Sequence, residues 1–280
     1  MKRFGRICAA LSLRRAAAAA RAAVLSACVA AAALAAACGG VAAQDVLPPG
    51  GYRPVDTAAR ERERLIDESR VHVARLRYGG GGDWYTDASS IPNLLREFAA
   101  RTGIPTARSE FVVDPADPRL FAHPFLYMTG HGNVKLGAEE RDRLREHLLG
   151  GGFLWADDCY GMDESFRRTM REIFPERELV LVPLDHPIYR SFYELPGVPK
   201  IHEHDGKPPQ GWGVMEGGRL MVFYTYESDI GDGLEDPDVH NDPPEKREEA
   251  IRMAVNILYY AVTNRGGEGK RDGAGAQSSE

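Results

Sequence analysis

Residues 125–161 read FLYMTGHGNVKLGAEERDRLREHLLGGGFLWADDCYG, and this stretch decides the fold. Residues 125–129 are an apolar run that ends in Gly130-His131-Gly132. Ala138–Leu149 follows as a charged helix with Leu144 and Leu148 to bury, and Gly150-Gly151-Gly152 ends it. Residues 153–156 are a second short apolar run between turn signals, as expected of a strand buried on both faces. A strand, a helix and a strand joined by short loops make a crossover unit, which connects parallel neighbours in one sheet.

The same alternation extends outward. Upstream, residues 71–77 predict a strand. Ser89 or Ser90 can cap a helix that carries Leu94, Leu95 and Phe98 on one face and stops at Gly103. Residues 111–113 predict a short strand. Downstream, Asp163 is expected to cap a helix with Phe166, Met170 and Phe174 on one face, followed by a strand over 179–182. Residues 185–210 are irregular, and 211–216 with 219–226 predict a hairpin turning at Gly217-Gly218. After Asp242-Pro243-Pro244, the spacing of Ile251, Ala254, Val255, Leu258, Tyr259 and Val262 predicts a final helix. The expected class is α/β, with a mainly parallel sheet covered on both faces. Ligands of such sheets sit beyond the carboxyl ends of the strands.

The ends of the chain differ in character from this middle. Lys2, Arg3, Arg6, Arg14, Arg15 and Arg21 precede an uncharged apolar run over 22–37, and Val41-Ala42-Ala43 then offers a small-residue cleavage site. That order predicts a signal peptide over 1–43 and a secreted or periplasmic protein. Cys38 after Leu34-Ala35-Ala36-Ala37 keeps a second reading open, a lipid anchor at Cys38. Residues 44–69 read as a Pro/Gly-rich linker and polar lead-in, 70–264 as the ordered domain, and 265–280 as a disordered tail. No later run is apolar for long enough to span a bilayer.

Six of the 35 Lys and Arg residues and none of the 41 Asp and Glu residues lie in 1–43, so the remainder carries a net charge of about −12. A surface this acidic argues against nucleic acid as a partner. Cys8, Cys28 and Cys38 belong to the leader, and Cys159 alone remains for the exported domain, which excludes an internal disulfide.

The predicted strand ends hold the candidate site residues. Gly79-Gly80-Gly81-Gly82 precedes Asp83 and Trp84 but lacks the Lys-Ser/Thr of a phosphate loop and the spacing of a dinucleotide fingerprint. His131, held between glycines, has no bulk beside it and is a candidate acid/base. Asp157 and Asp158 can bind a cation or a sugar hydroxyl, or hold one raised pKa. Cys159 and Tyr160 follow, at a strand–turn–helix position where a nucleophilic thiol or a small buried residue are both admissible. His186 follows the next strand. His202-Glu203-His204 is a weak metal-pair signal, and the acidic run containing Asp229 and Asp232 is either a lining of the same edge or a solvated surface. The metal and any other cofactor stay open at this point.

Residues 125–132, Leu148–Cys159, Ser165-Phe166-Arg167, Phe174-Pro175, Asp185-His186-Pro187-Ile188-Tyr189 and Ser228-Asp229-Ile230-Gly231-Asp232, taken in order, resemble the domain of unknown function 4159 family. That family is similar to the class I glutamine-amidotransferase-like superfamily, near its trehalose-utilisation-protein-like group. The resemblance implies a flavodoxin-like three-layer sandwich and, through longer relatives on membrane proteins, a cell-envelope partner. It also implies a nucleophile elbow, of which Cys159-Tyr160-Gly161 keeps only the second half. Asp157 stands where that elbow has a glycine, and an anion beside a thiol opposes thiolate formation. The leading expectation is a domain that binds a polar, sugar-like small molecule at its strand ends, with hydrolysis open. A non-catalytic partner module and a cysteine amidohydrolase are the alternatives.

Overall fold

The computed structural model describes residues 70–264. The signal peptide expected over 1–43, the linker over 44–69 and the tail over 265–280 lie outside the described residues.

Seven strands form one sheet in the order β2-β1-β3-β4-β7-β6-β5. They are β1 Ala74–Leu76, β2 Phe111–Val113, β3 Phe125–His131, β4 Phe153–Tyr160, β5 Val180–Leu181, β6 Gln210–Glu216 and β7 Arg219–Tyr226. The pairs β1/β2, β1/β3, β3/β4 and β4/β7 are parallel, β6 pairs antiparallel with β7, and β5 pairs antiparallel with β6 and so runs in the direction of β7. The helices are α1 Ser90–Thr102, α2 Ala138–Leu149, α3 Asp163–Ile173, α4 Ile230–Leu234, α5 Pro237–His240 and α6 Pro244–Thr263.

Alternation along the central strands separates two cores, because successive side chains of a strand point to opposite faces. Phe125, Tyr127, Phe153, Trp155 and Phe223 pack with Leu94 and Phe98 of α1 and Met253, Ile257 and Leu258 of α6. Leu126, Met128, Leu154, Ala156, Val222 and Tyr224 pack with Leu144 and Leu148 of α2 and Phe166 and Met170 of α3. The result is a flavodoxin-like three-layer α/β sandwich. No helix among the described residues is long and apolar enough to cross a membrane.

Two elements differ from their sequence expectation. Asp163 is the first residue of α3 rather than its cap, and Met162 occupies the cap position. More consequentially, β4 does not stop at Ala156. Pairing with β3 continues through Thr129↔Asp157 and Gly130↔Asp158 and, across an irregularity, His131↔Tyr160. The acidic residues are thus strand residues and buried, because their oxygens find internal donors.

Candidate functional site

Arg75 starts the construction of the carboxyl edge. It is buried on β1, where its Nε lies 3.0 Å from both Glu110 oxygens, and its guanidinium donates to Thr86 O at 2.7 Å and Asp87 O at 3.1 Å. These bonds draw the 84–87 loop over the ends of β1 and β3 and bring the Asp87 carboxylate inside. Asp87 Oδ2 accepts from Thr129 Oγ1 at 2.9 Å and from Cys159 Sγ at 3.1 Å. Burial, and then the charge of Asp232, push the Asp87 carboxyl up to about 6.

Asp157 and Asp158 point to opposite faces of the sheet, as strand neighbours must. Asp157 accepts from Thr225 Oγ1 and, at 2.6 Å, from the backbone N–H of Gly231. Burial and the Asp229 charge raise its pKa well above the carboxylate range. Asp158 accepts from Met162 N–H at 3.2 Å and from Tyr224 OH at 3.0 Å, and burial raises its pKa. Gly231 allows the convergence of these groups. A Cβ there would lie 2.4 Å from Asp87 Oδ2 and 2.7 Å from Tyr127 Oη.

Cys159 lies inside this acidic layer. It is buried, with Sγ 2.9 Å from Thr129 Oγ1, and burial followed by Asp87, Asp229 and Asp157 raises the thiol pKa well above its ordinary value. The elbow reading therefore lacks its electrostatic basis. Cys159 is a protonated thiol that donates to a carboxylate, with no imidazole within hydrogen-bond reach.

A more accessible pair sits on the rim. His131 ends β3 and its side chain is half exposed. Its backbone N–H donates to Asp83 Oδ1 at 2.5 Å, and its Nδ1 lies 3.1 Å from Asp83 Oδ2. These contacts hold Asp83 below its usual carboxylate range against a burial penalty. Gly130 is required beneath them, with φ +142° and a position where a Cβ would lie 2.3 Å from Tyr78 Oη. Trp84 is half-buried against the α2/α3-side core, its ring edge-on to Tyr85. Tyr160 is exposed, and its ring packs 5.2 Å from that of His204.

The third group is rich in imidazoles. Asp229, at the end of β7 with φ +64°, accepts at Oδ2 from His202 Nδ1 at 3.0 Å and His204 Nε2 at 3.2 Å. His202 Nδ1 also lies 3.1 Å from Asp232 Oδ2, and its Nε2 faces Asp242 Oδ1 at 2.9 Å. Hydrogen bonds to Asp229 and Asp232 push His202 up to about 11. His240 Nε2 meets Glu235 Oε2 at 2.9 Å and Asp232 Oδ1 at 3.4 Å. The acidic run is therefore part of the edge and not a solvated surface, and Ile230, Gly231, Gly233 and Leu234 are buried in α4. Asp87, Tyr160, Glu227, Asp229 and Asn241, the non-glycine residues with positive φ among those described, all lie in or beside these groups. Unfavourable backbone concentrates where a fold holds side chains in place.

The matching family model is Domain of unknown function (DUF4159), over residues 72–262. The chain belongs to this family. No curated protein matches the chain.

Within this family member, the fold gathers Asp83, Trp84, His131, Asp157, Asp158, Cys159, Tyr160, Asp229 and Asp232 at one end of the sheet. It does not bring His186 there. The His186 ring packs 5.4 Å from Tyr260, whose ring also contacts Phe153 at the start of β4, at the opposite end of the strands. His186 Nδ1 accepts from Ile188 N–H and caps the Pro187–Tyr189 turn. Sequence reasoning missed Asp87, His240 and Asp242. Asp87 precedes a helix start and Asp242 precedes two prolines, so both resemble ordinary turn residues. The signal that was present, His202-Glu203-His204, was too short to weigh without its carboxylates.

Proposed function

We propose that this domain binds a polar small molecule at the carboxyl ends of β3, β4 and β7 and acts on it by proton transfer through His131. The Asp83–His131 pair carries this reading. A carboxylate at Nδ1 fixes the tautomer and ring orientation, which leaves Nε2 of a half-exposed imidazole to take a proton from a water or hydroxyl. Tyr160 and Trp84 beside it supply flat apolar surface for a sugar-like ring. Asp158, already hydrogen-bonded to Met162 N–H and Tyr224 OH, and an acidic rim favour a neutral or cationic ligand over an anion. The cysteine amidohydrolase alternative is disfavoured by the same electrostatics, since three carboxylates oppose the thiolate.

The test is a thermal-shift panel of neutral sugars, amino sugars and sugar acids, followed by nitrophenyl glycosides and esters as chromogenic probes. His131→Ala is expected to lower turnover of the responding probe by roughly 10²–10⁴-fold, the usual worth of a positioned acid/base. A panel with neither shift nor turnover overturns the reading.

The order of basic, apolar and small residues in 1–43 supports export of the chain. Mass spectrometry of the processed amino terminus distinguishes cleavage near Ala43 from a lipid on Cys38. The parallel order of β2-β1-β3-β4-β7 supports a place beside the amidotransferase-like folds.

A partner-module reading has one observation in its favour. The edge strand β5 exposes Val180 and Leu181, with exposed Leu184 after it, and no charge or proline interrupts that strand. A photo-crosslinker at position 181 in cell-envelope fractions tests it, and failure to form any adduct removes it.

A further inference from the structure

We propose that His202, Asp232 and His240, with the buried Asp229 carboxylate beside them, form a binding site for a divalent transition metal of the zinc class. The inference is independent of the role given to His131. One ligand atom from each of His202, Asp232 and His240 falls within 4.8 Å of the others. The two facing distances to Asp232 are shorter still, 3.1 Å from His202 Nδ1 and 3.4 Å from His240 Nε2. Asp229 Oδ2 lies beside this trio, 3.0 Å from His202 Nδ1. Groups at such separations can move onto one ion with bonds of about 2.0–2.2 Å.

A second observation points to a cation at the same place. Asp229 is 2 % exposed, and its Oδ1 is buried without a hydrogen-bond partner. Asp242 Oδ2 is buried without a partner as well. Both residues touch His202, so the oxygens lacking donors lie around the imidazole that would bind the metal. A buried carboxylate oxygen without a donor is costly in a folded protein, and a nearby cation is the group that compensates it.

The surrounding bonds follow the pattern that holds metal ligands. Asp242 Oδ1 accepts from His202 Nε2 at 2.9 Å, which orients the ring with Nδ1 toward Asp232. The segment carrying Asp232 is held from outside. Asn93 Nδ2 donates to Leu234 O at 2.9 Å and Asp236 Oδ1 at 3.0 Å, and Ser89 Oγ lies 3.2 Å from Glu235 Oε1. Two imidazoles with carboxylates select zinc, manganese, iron, cobalt or nickel over calcium and magnesium, which prefer all-oxygen sets. Zinc is the representative probe. On binding, the protons shared between the imidazoles and their carboxylates are displaced, so uptake of the ion releases protons.

The experiment uses the purified chain, stripped with a chelator and titrated calorimetrically with ZnCl2 in two buffers of different ionisation enthalpy. One zinc per chain is expected, with proton release seen as a buffer-dependent enthalpy. CaCl2 is expected to bind at least ten-fold more weakly. Asp232→Asn and His240→Gln should each abolish the transition or weaken it by more than ten-fold, and Asp242→Asn should weaken it by about 10–100-fold. His240 lies on the outer side of the cluster, so His240→Gln decides the matter if Asp232→Asn fails to fold. His131→Ala, at the rim, should bind zinc as the unaltered chain does. Absence of saturable zinc binding overturns the proposal. So does zinc binding that His240→Gln leaves unchanged.

Discussion

Cys159 Sγ lies 3.1 Å from Asp87 Oδ2, two residues 72 apart in sequence, and the thiol is the donor in that contact. The single cysteine of the domain thus serves the carboxylate, not the reverse. Native protein is expected to resist iodoacetamide at pH 7 over hours, and denatured protein to react within minutes. Peptide mass spectrometry at Cys159 follows both. Rapid native labelling would show that the thiol is ionised and restore the nucleophile reading. Cys159→Ser should keep the fold, since a hydroxyl donates to Asp87 equally well.

Gly231 sets how closely three polar side chains can approach. Its α-hydrogen occupies space where a Cβ would lie 2.4 Å from Asp87 Oδ2 and 3.2 Å from Asp157 Oδ2. Gly231→Ala must displace α4 or the carboxylates, at roughly 1–3 kcal/mol in urea unfolding. A loss under about 0.5 kcal/mol would mean that the edge yields easily.

Asn256 ties the irregular 185–210 segment to α6. Its Oδ1 accepts from Tyr193 N–H at 2.7 Å and its Nδ2 donates to Tyr193 O at 2.8 Å, with the Asn256 side chain itself buried. Asn256→Ala leaves both backbone groups without a partner, and a loss of roughly 2–3 kcal/mol is expected. Hydrogen exchange should quicken at Tyr193 and Leu195. Unchanged exchange there would place the restraint elsewhere.

His147 gives the fold an acid sensitivity of its own. Burial against Gly152 and Phe121, with His123 and Arg219 as nearby cations, lowers its pKa from 6.5 to about 4. Between those values the unfolded chain binds a proton that the folded chain does not. Stability is therefore complete above about pH 6.5 and falls as pH drops toward 4, by on the order of 3 kcal/mol. Urea unfolding at pH 7 and pH 4.5 checks this, with His147→Gln showing a shallower dependence. Equal dependence in both proteins would count against it.

Several elements were legible residue by residue. α2 runs over Ala138–Leu149 as its leucines and flanking glycines require, and β7 and β6 meet at Gly217-Gly218. The end of β4 was not legible. An apolar run stops at Ala156, and nothing adjacent announces that Asp157 and Asp158 continue the strand. Their donors are Thr225, Gly231, Tyr224 and Met162, of which only Met162 is near in sequence. His186, by contrast, follows a strand as His131 does, yet the irregular segment after β5 carries it away and its ring comes to rest on Tyr260, which also contacts Phe153 at the start of β4.

The amino-acid sequence by itself determined the alternation of elements, the two-sided burial and hence the α/β class, because periodicity and turn chemistry act between near neighbours. Tertiary structure alone decided the site. Asp87, Asp157 and Cys159 stay protonated or hydrogen-bonded because burial and mutual charge set their ionisation, and His202, Asp232 and His240 meet only when α4 and α5 fold over the end of β7. Both are properties of where distant segments come to rest, and no local pattern of residues encodes them.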